Sequence, residues 1–342
     1  MPIRGILFVS SFLSRGASYT TSADLAERLS EEGYSVICTS SKQNRILRLA
    51  DMTLTCLRRH RDYSVANVAV FSGNAFLWAE VTTFLLARLG KPVILTLHGG
   101  NLPEFAKNHP KRLQRLFHYA NAVTSPSEYL SQRMRAFYPA IQIIPNALDI
   151  NEYPYHLREA ASPKLIWLRA FQEIYNPMLV VPVVSKLVDE FPDVHIHMIG
   201  PIMDTSRDKT CHAAEIMKVR DRITIIPGVP KKSVPAYLGC ADIFLNTTTI
   251  DNQPVSVLEA MASGLCVVST NVGGLPYLIN SGVDGLLCPP GEAEAMAEAV
   301  KNILKNPLLS QRLSLNARKR AEAVDWKRIL PQWEALFSSI AR

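Results

Sequence analysis

Short apolar runs alternate with helical stretches along nearly the whole chain, and this alternation limits the possible folds more than any other feature. In the first half GILFVS, YSVICTS, VANVAVFSG, KPVILTLHG, ANAVTS and IQIIP are spaced by stretches such as TTSADLAERLSEEG and FLWAEVTTFLLARLG. Strands spaced by helices of this length pair in parallel through crossovers, which cover the sheet on both faces. The pattern pauses over residues 145–163, PNALDINEYPYHLREAASP, where Pro, Asn and charged residues cluster without periodicity and read as a linker. It restarts with KLIWLRA, VHIHMIG, RITIIPG, ADIFLNT and CVVST. The expected class is α/β, with two doubly wound, Rossmann-like domains over residues 1–152 and 163–322. Two such sheets facing each other would form a cleft. Residues 292–323 read as two helices, and DWKRILPQWEALFSSIAR, 325–342, as a terminal amphipathic helix crossing back onto the first domain.

Length and composition agree with this reading. At roughly 150 residues per domain, 342 residues suggest two domains, and 48% hydrophobic residues suffice for two cores. The six cysteines are scattered without a CxxC pair, so they read as reduced thiols of a cytosolic protein, several serving as small apolar fillers. The most apolar stretch, 65–97, is interrupted by Glu80, Arg88 and Lys91, short of the roughly 20 apolar residues a membrane helix needs. MPIRGILFVS has the outline of a secretory leader, but Ser10 and Ser11 end its apolar run and no small-residue cleavage site follows, so a first strand fits better. Residues 1–150 carry 17 Lys and Arg against 10 Asp and Glu, and the remainder 20 of each. All of the net +7 charge thus lies in the first half, which could face nucleic acid, acidic lipid or an anionic substrate.

Ligands of open parallel sheets bind outside the carboxyl ends of the strands, so LHGG, WLRAFQEIYNP, LNTTTIDNQP and TNVGG are the loops to inspect. The stretch IDNQPVSVLEAMASG, 250–264, sets Asp251 and Glu259 eight positions apart. Asn252 or Gln253 can cap a helix there, Pro254 suits its first position and Gly264 its end. The helical neighbours of Glu259 are Val255, Ser256, Ala262 and Ser263, none a cation, so its carboxylate needs donors from elsewhere. Two adjacent sugar hydroxyls, a backbone amide or a distant Arg would each serve. Asp251 lies in the preceding loop, beside a helix start whose Val255 and Ser256 amides can bind phosphate. Gly16, in SRGASYTTSADLAERL between a strand and a helix, would also let backbone approach a phosphate. No G-x-G-x-x-G is present there, which argues against an NAD dehydrogenase. His98 ends a strand and precedes Gly99 and Gly100, leaving its side chain open to a site. His195 and His197 lack a third ligand at metal spacing, and no catalytic metal is expected.

These segments resemble the signature of the family 4 retaining glycosyltransferases. Asp251, Glu259, Ala260, Met261, Ala262 and Gly264, then Gly273 and Gly274 in CVVSTNVGGLPYLI, and DGLLCPPGE carry the likeness. LHGG, SPSEYL and IPNALDINEY extend it over nearly the whole chain. The resemblance implies the GT-B fold, with an acceptor domain followed by a nucleotide-sugar domain, and transfer from a UDP- or GDP-sugar with retention and without a metal or other cofactor. It implies that Glu259 accepts from the ribose hydroxyls, that Asp251 holds hydroxyls of the transferred sugar, and that His98 donates to or orients that sugar. Arg169, ending KLIWLR, would meet the diphosphate with Gly16, Pro254, Val255, Ser256, Gly273 and Gly274. Two departures stand out: Asp251 replaces the family's usual Glu, and Tyr175, Asn176 and Pro177 stand where it usually has a lysine.

The basic stretch 44–64 carries Arg45, Arg48, Arg58, Arg59 and Arg61 on an expected helix. An ordinary surface helix and a contact with anionic membrane or a lipid diphosphate are both open there. Relatives suggest a glycan or lipid-linked saccharide acceptor in cell-envelope polysaccharide synthesis, a cytoplasmic enzyme peripheral at the inner membrane face, and no nucleic-acid partner. Two rivals are a glycosidase using Asp251 and Glu259 as its acid pair, and a nucleotide-sugar or glycan sensor that kept the fold without turnover.

Overall fold

The computed structural model describes residues 5–12 and 20–341. Among these, residues up to Asn146 together with those from Lys327 onward form one compact unit, and Ala147–Trp326 form another.

The first unit holds a six-stranded sheet of β1 (Ile6–Val9), β2 (Val36–Thr39), β3 (Val65–Val70), β4 (Val93–Leu97), β5 (Ala122–Ser125) and β6 (Ile141–Ile143). Its spatial order is β2-β1-β3-β4-β5-β6, and every pair is parallel. All residues of β1, β3 and β4 are buried, as expected of strands with helices on both faces. Leu7, Val68, Leu95 and Val123 form a core with Phe76 and Leu86 of the helix Phe76–Arg88. The terminal helix Trp326–Ile340 belongs to this unit from Lys327 on. Its Phe337 is fully buried with ring centroid 6.1 Å from that of Phe8, and Tyr34 donates to Glu334 at 3.1 Å.

The second unit repeats the plan with β7 (Lys164–Leu168), β8 (His195–Gly200), β9 (Ile223–Pro227), β10 (Ile243–Asn246), β11 (Cys266–Thr270) and β12 (Leu286–Cys288). The order is β12-β11-β10-β7-β8-β9, again parallel throughout. The direction of winding reverses between β7 and β10, where Ile243 and Phe244 pair with Leu165 and Ile166. A reversal of this kind parts the connecting chains and opens a crevice at the carboxyl ends of its two strands.

Residues read as a linker are tied into the second unit. Arg158, 4% exposed, donates to the carbonyls of Ser263 at 2.6 Å and Ala241 at 2.7 Å, and pairs with Asp242 at 3.2 Å. Three cysteines are the apolar fillers their settings suggest: Cys56, Cys266 and Cys288 are buried, which pushes the first two thiols up to about 12 and the third to about 11. Cys38 and Cys240 are exposed instead. Among the described residues, no helix is long and apolar enough to cross a membrane.

Candidate functional site

The second unit brings Arg169, Asp251, Glu259 and the start of the helix Val255–Ala262 to the carboxyl ends of β7 and β10. Arg169 follows β7 directly, and its amide continues the sheet by donating to Ile199 O at 3.1 Å. Its guanidinium Nη2 is bonded to Asp251 Oδ2, and both side chains are largely buried. It lies over the Tyr175 ring, 4.1 Å from the centroid. Arg169 Nε is buried and has no hydrogen-bond partner among the described residues. An Arg presents five N–H donors, so most of this fork is uncommitted among the described residues.

Asp251 is fixed from two sides: Oδ1 accepts from the Asn252 amide at 2.8 Å, and its carbonyl accepts from the Gly274 amide at 3.0 Å. The glycine pair is required by this approach. A Cβ on Gly273 would lie 2.1 Å from Asp251 O, and one on Gly274 would lie 1.7 Å from Asn252 O. Gly273 also has φ +54°, in the left-handed region. Both glycines therefore shape the loop that carries Asp251, a packing role that the phosphate expectation did not include.

The helix begins at Val255 with Pro254 as its N-cap and no side-chain cap, so neither Asn252 nor Gln253 occupies the capping place expected of them. The Val257 amide bonds Pro254 O at 3.2 Å, whereas the Val255 and Ser256 amides have no partner among the described residues. Ser256 Oγ is buried and equally unpartnered. An uncapped helix start with a free hydroxyl is the polar arrangement that suits an anion.

Glu259 is 7% exposed on this otherwise apolar helix. The donor its carboxylate needs is Tyr153, whose hydroxyl lies 2.8 Å from Oε1. Tyr153 is in turn held by Arg318 Nη1, which donates to its carbonyl at 3.0 Å and to Ala262 O at 2.7 Å. Tyr153 escaped the sequence reading because it lies 106 residues from its partner, in the stretch read as linker.

His98 is in the first unit, just past β4. Its amide bonds Val70 O at 2.8 Å, and its ring stacks on Phe71 with centroids 5.0 Å apart. Nε2 is buried without a partner, and burial pushes the imidazole down to about 4. The ring is therefore neutral near pH 7, able to donate at one nitrogen and accept at the other. Gly16 lies outside the described residues. No cluster of three or more His, Cys, Asp or Glu suited to a metal occurs among the described residues.

The basic stretch forms the helix Arg45–Arg58, capped by Asn44 Oδ1, which accepts from the Ile46 and Leu47 amides at 2.9 and 3.2 Å. Arg48 does not belong to its basic surface. It is 8% exposed, donates through Nε to Lys42 O at 2.8 Å and lies 4.8 Å from the Trp78 ring centroid. Its spacing with Met52 and Cys56 puts it on the buried face. Arg45, Arg58, Arg59 and Arg61 are exposed, Arg59 pairing with Asp62.

Residues 19–152 match the model of Glycosyltransferase Family 4, and residues 155–320 that of Glycosyl transferases group 1. Both halves of the chain thus match glycosyltransferase models, which together span all but two of residues 19–320. The D-inositol 3-phosphate glycosyltransferase of Paenarthrobacter aurescens is 22% identical over 79% of this chain and 69% of its own length. That of Corynebacterium glutamicum is 27% identical over 49% of this chain, which matches only 41% of the relative's length. Among solved structures, sucrose-phosphate synthase of Thermosynechococcus elongatus superposes with TM-score 0.81 at 16% identity over 98% of both chains. Anabaena Alr3699/HepE in complex with UDP-glucose gives TM-score 0.81 at 17% identity over 98% of this chain and 100% of that one. These likenesses show that this glycosyltransferase has the GT-B fold.

Proposed function

We propose that the protein transfers a sugar from a UDP- or GDP-sugar to an acceptor hydroxyl, with retention at the anomeric carbon and without a metal. The observation that carries this reading is the meeting, at the reversal point of one sheet, of anion-seeking groups with two carboxylates, one buried and one largely so. Arg169 and the Val255 and Ser256 amides supply the first, and Asp251 and Glu259 the second. A nucleotide sugar has the matching parts: a diphosphate flanked by two sets of hydroxyls.

In this reading Glu259, steadied by Tyr153, accepts from the ribose hydroxyls, and Asp251 accepts from hydroxyls of the transferred sugar. As the bond to the sugar breaks, negative charge grows on the departing diphosphate. Arg169 and the fixed helix amides stabilise that charge more than they stabilise the ground state, which lowers the barrier. The family resemblance assigns His98 a polar contact to a sugar hydroxyl, and its imidazole is neutral at pH 7. Pro254, Gly273 and Gly274 set the backbone that bears these groups. Retention rests on the family resemblance. UDP and UDP-glucose in the HepE structures support a uridine donor, with GDP-sugars as the alternative.

The glycosidase reading is less well supported, since Asp251 and Glu259 are each engaged by a separate partner, Arg169 and Tyr153. Screening the purified protein against UDP- and GDP-sugars for transfer or slow hydrolysis tests the proposal. One donor is expected to be consumed, and Glu259→Ala to raise its KM at least tenfold through lost ribose contacts. Nucleotide binding without turnover of any donor would sink the transferase reading in favour of a sensor.

The acceptor side of the proposal is a glycan or lipid-linked saccharide of envelope synthesis, handled by the first unit at the inner membrane face. Exposed Ile46, Leu47, Leu54 and Leu57 on the same helix as Arg45 and Arg58 support attachment to an anionic surface. Flotation with phosphatidylglycerol vesicles is expected to retain the native protein and to lose the triple variant Arg45→Ser, Arg58→Ser, Arg61→Ser. Equal flotation of both proteins would dismiss the membrane contact.

A further inference from the structure

We infer that Tyr175 is a positioning residue that fixes the Arg169 guanidinium for the diphosphate, and that Thr247, Thr248 and Thr249 hold Tyr175 in place. This rests on the donor-site reading above and adds residues to it. Residues 170–178 contain no Lys or Arg, so Arg169 is the one cation this segment brings to the site. Instead, the guanidinium carbon lies over the Tyr175 ring, 4.1 Å from its centroid. An aromatic face attracts the cation as a whole without taking a lone-pair hydrogen bond from it, so the N–H donors stay available. Asp251 takes Nη2 at one corner, and the buried Nε has no partner among the described residues. The fork is thus fixed in orientation while retaining donors for an anion.

The turn carrying Tyr175 is held with unusual completeness for a surface loop. Trp167, fully buried on β7, donates through Nε1 to Thr247 Oγ1 at 2.9 Å, and that hydroxyl donates to Tyr175 O at 2.7 Å. The Thr249 amide and hydroxyl each reach Ile174 O at 2.9 Å. Thr248 Oγ1 lies 3.3 Å from Ile174 O and 2.9 Å from Ile250 O. Asn176 then turns the chain with φ 45° and ψ 57°, a left-handed conformation Asn tolerates better than most side chains. Successive hydrogen bonds from a core Trp through Thr247 reinforce one another in a buried setting. The three threonines follow β10 and lead to Asp251, so one loop fixes both the carboxylate on Arg169 and the ring beneath it.

The test compares Tyr175→Leu, Tyr175→Phe and Thr247→Val with the native protein, by calorimetric binding of UDP, GDP and inorganic pyrophosphate. Amide-to-side-chain NMR of Arg169 Nε–H is the second readout, because a proton near an aromatic face is shifted upfield. Tyr175→Leu is expected to weaken binding about tenfold and to abolish the upfield shift. Tyr175→Phe keeps the ring and is expected to keep both within about twofold, and Thr247→Val to fall between them. If Tyr175→Leu retains native affinity and the native shift, or if Tyr175→Phe loses as much as Tyr175→Leu, the ring has no such role. A native protein that binds none of the three probes overturns the donor-site reading itself, whatever the NMR shift shows, and the positioning role with it.

Discussion

Arg169→Ala is expected to reduce turnover by a factor on the order of 100 to 1,000, with a smaller change in donor affinity. The side chain is the only one in its segment able to meet charge on a leaving diphosphate, and preorganised donors of this kind act mainly in the transition state. The substitution also removes the partner of Asp251, a carboxylate with little exposure, so a stability loss on the order of 1–3 kcal/mol should accompany it. Combining it with Asp251→Asn separates the two effects. The double variant should recover much of the stability, because no unpaired charge remains, and none of the turnover. Steady-state kinetics and thermal unfolding of the three proteins measure this; a single variant with native turnover would remove Arg169 from the mechanism.

Gly274→Ala is expected to cost at least 100-fold in activity from a residue that bears no functional group. Its Cβ would stand 1.7 Å from Asn252 O, against an ordinary contact distance of about 3.5 Å, so the loop must move by roughly 1.8 Å. The same shift breaks the bond from the Gly274 amide to Asp251 O and carries the Asp251 carboxylate off Arg169. Displacements near 1 Å in a positioned site can cost about 100-fold in rate. The unfolding midpoint should fall by several degrees while the protein remains folded. Activity and circular dichroism decide it: native activity in a folded Gly274→Ala protein would contradict the steric account.

Much of the fold was legible because burial on both sheet faces writes itself as short, nearly continuous apolar runs. That signal identifies eleven of the twelve strands among the described residues, β1 through β11. It failed for β12, whose three residues Leu286–Cys288 are too few to show a pattern between Gly285 and Pro289. At the site, Asp251 and Glu259 were legible from local spacing on and before one helix. Their partners were not equally accessible. Tyr153 contacts Glu259 across 106 residues, and Tyr175 meets Arg169 only because a turn doubles back over the end of β7. Arg48 shows the opposite case, since its spacing with Met52 and Cys56 already placed it on the inner helix face.

The most direct test of the account is the structure of a crystal soaked with UDP-glucose and, separately, with a GDP-sugar. The predicted result is a nucleotide whose ribose hydroxyls lie within hydrogen-bond reach of Glu259, with its diphosphate on the Val255 and Ser256 amides and beside Arg169. A nucleotide bound elsewhere, or none at Glu259 at saturating concentrations of both donors, would contradict it.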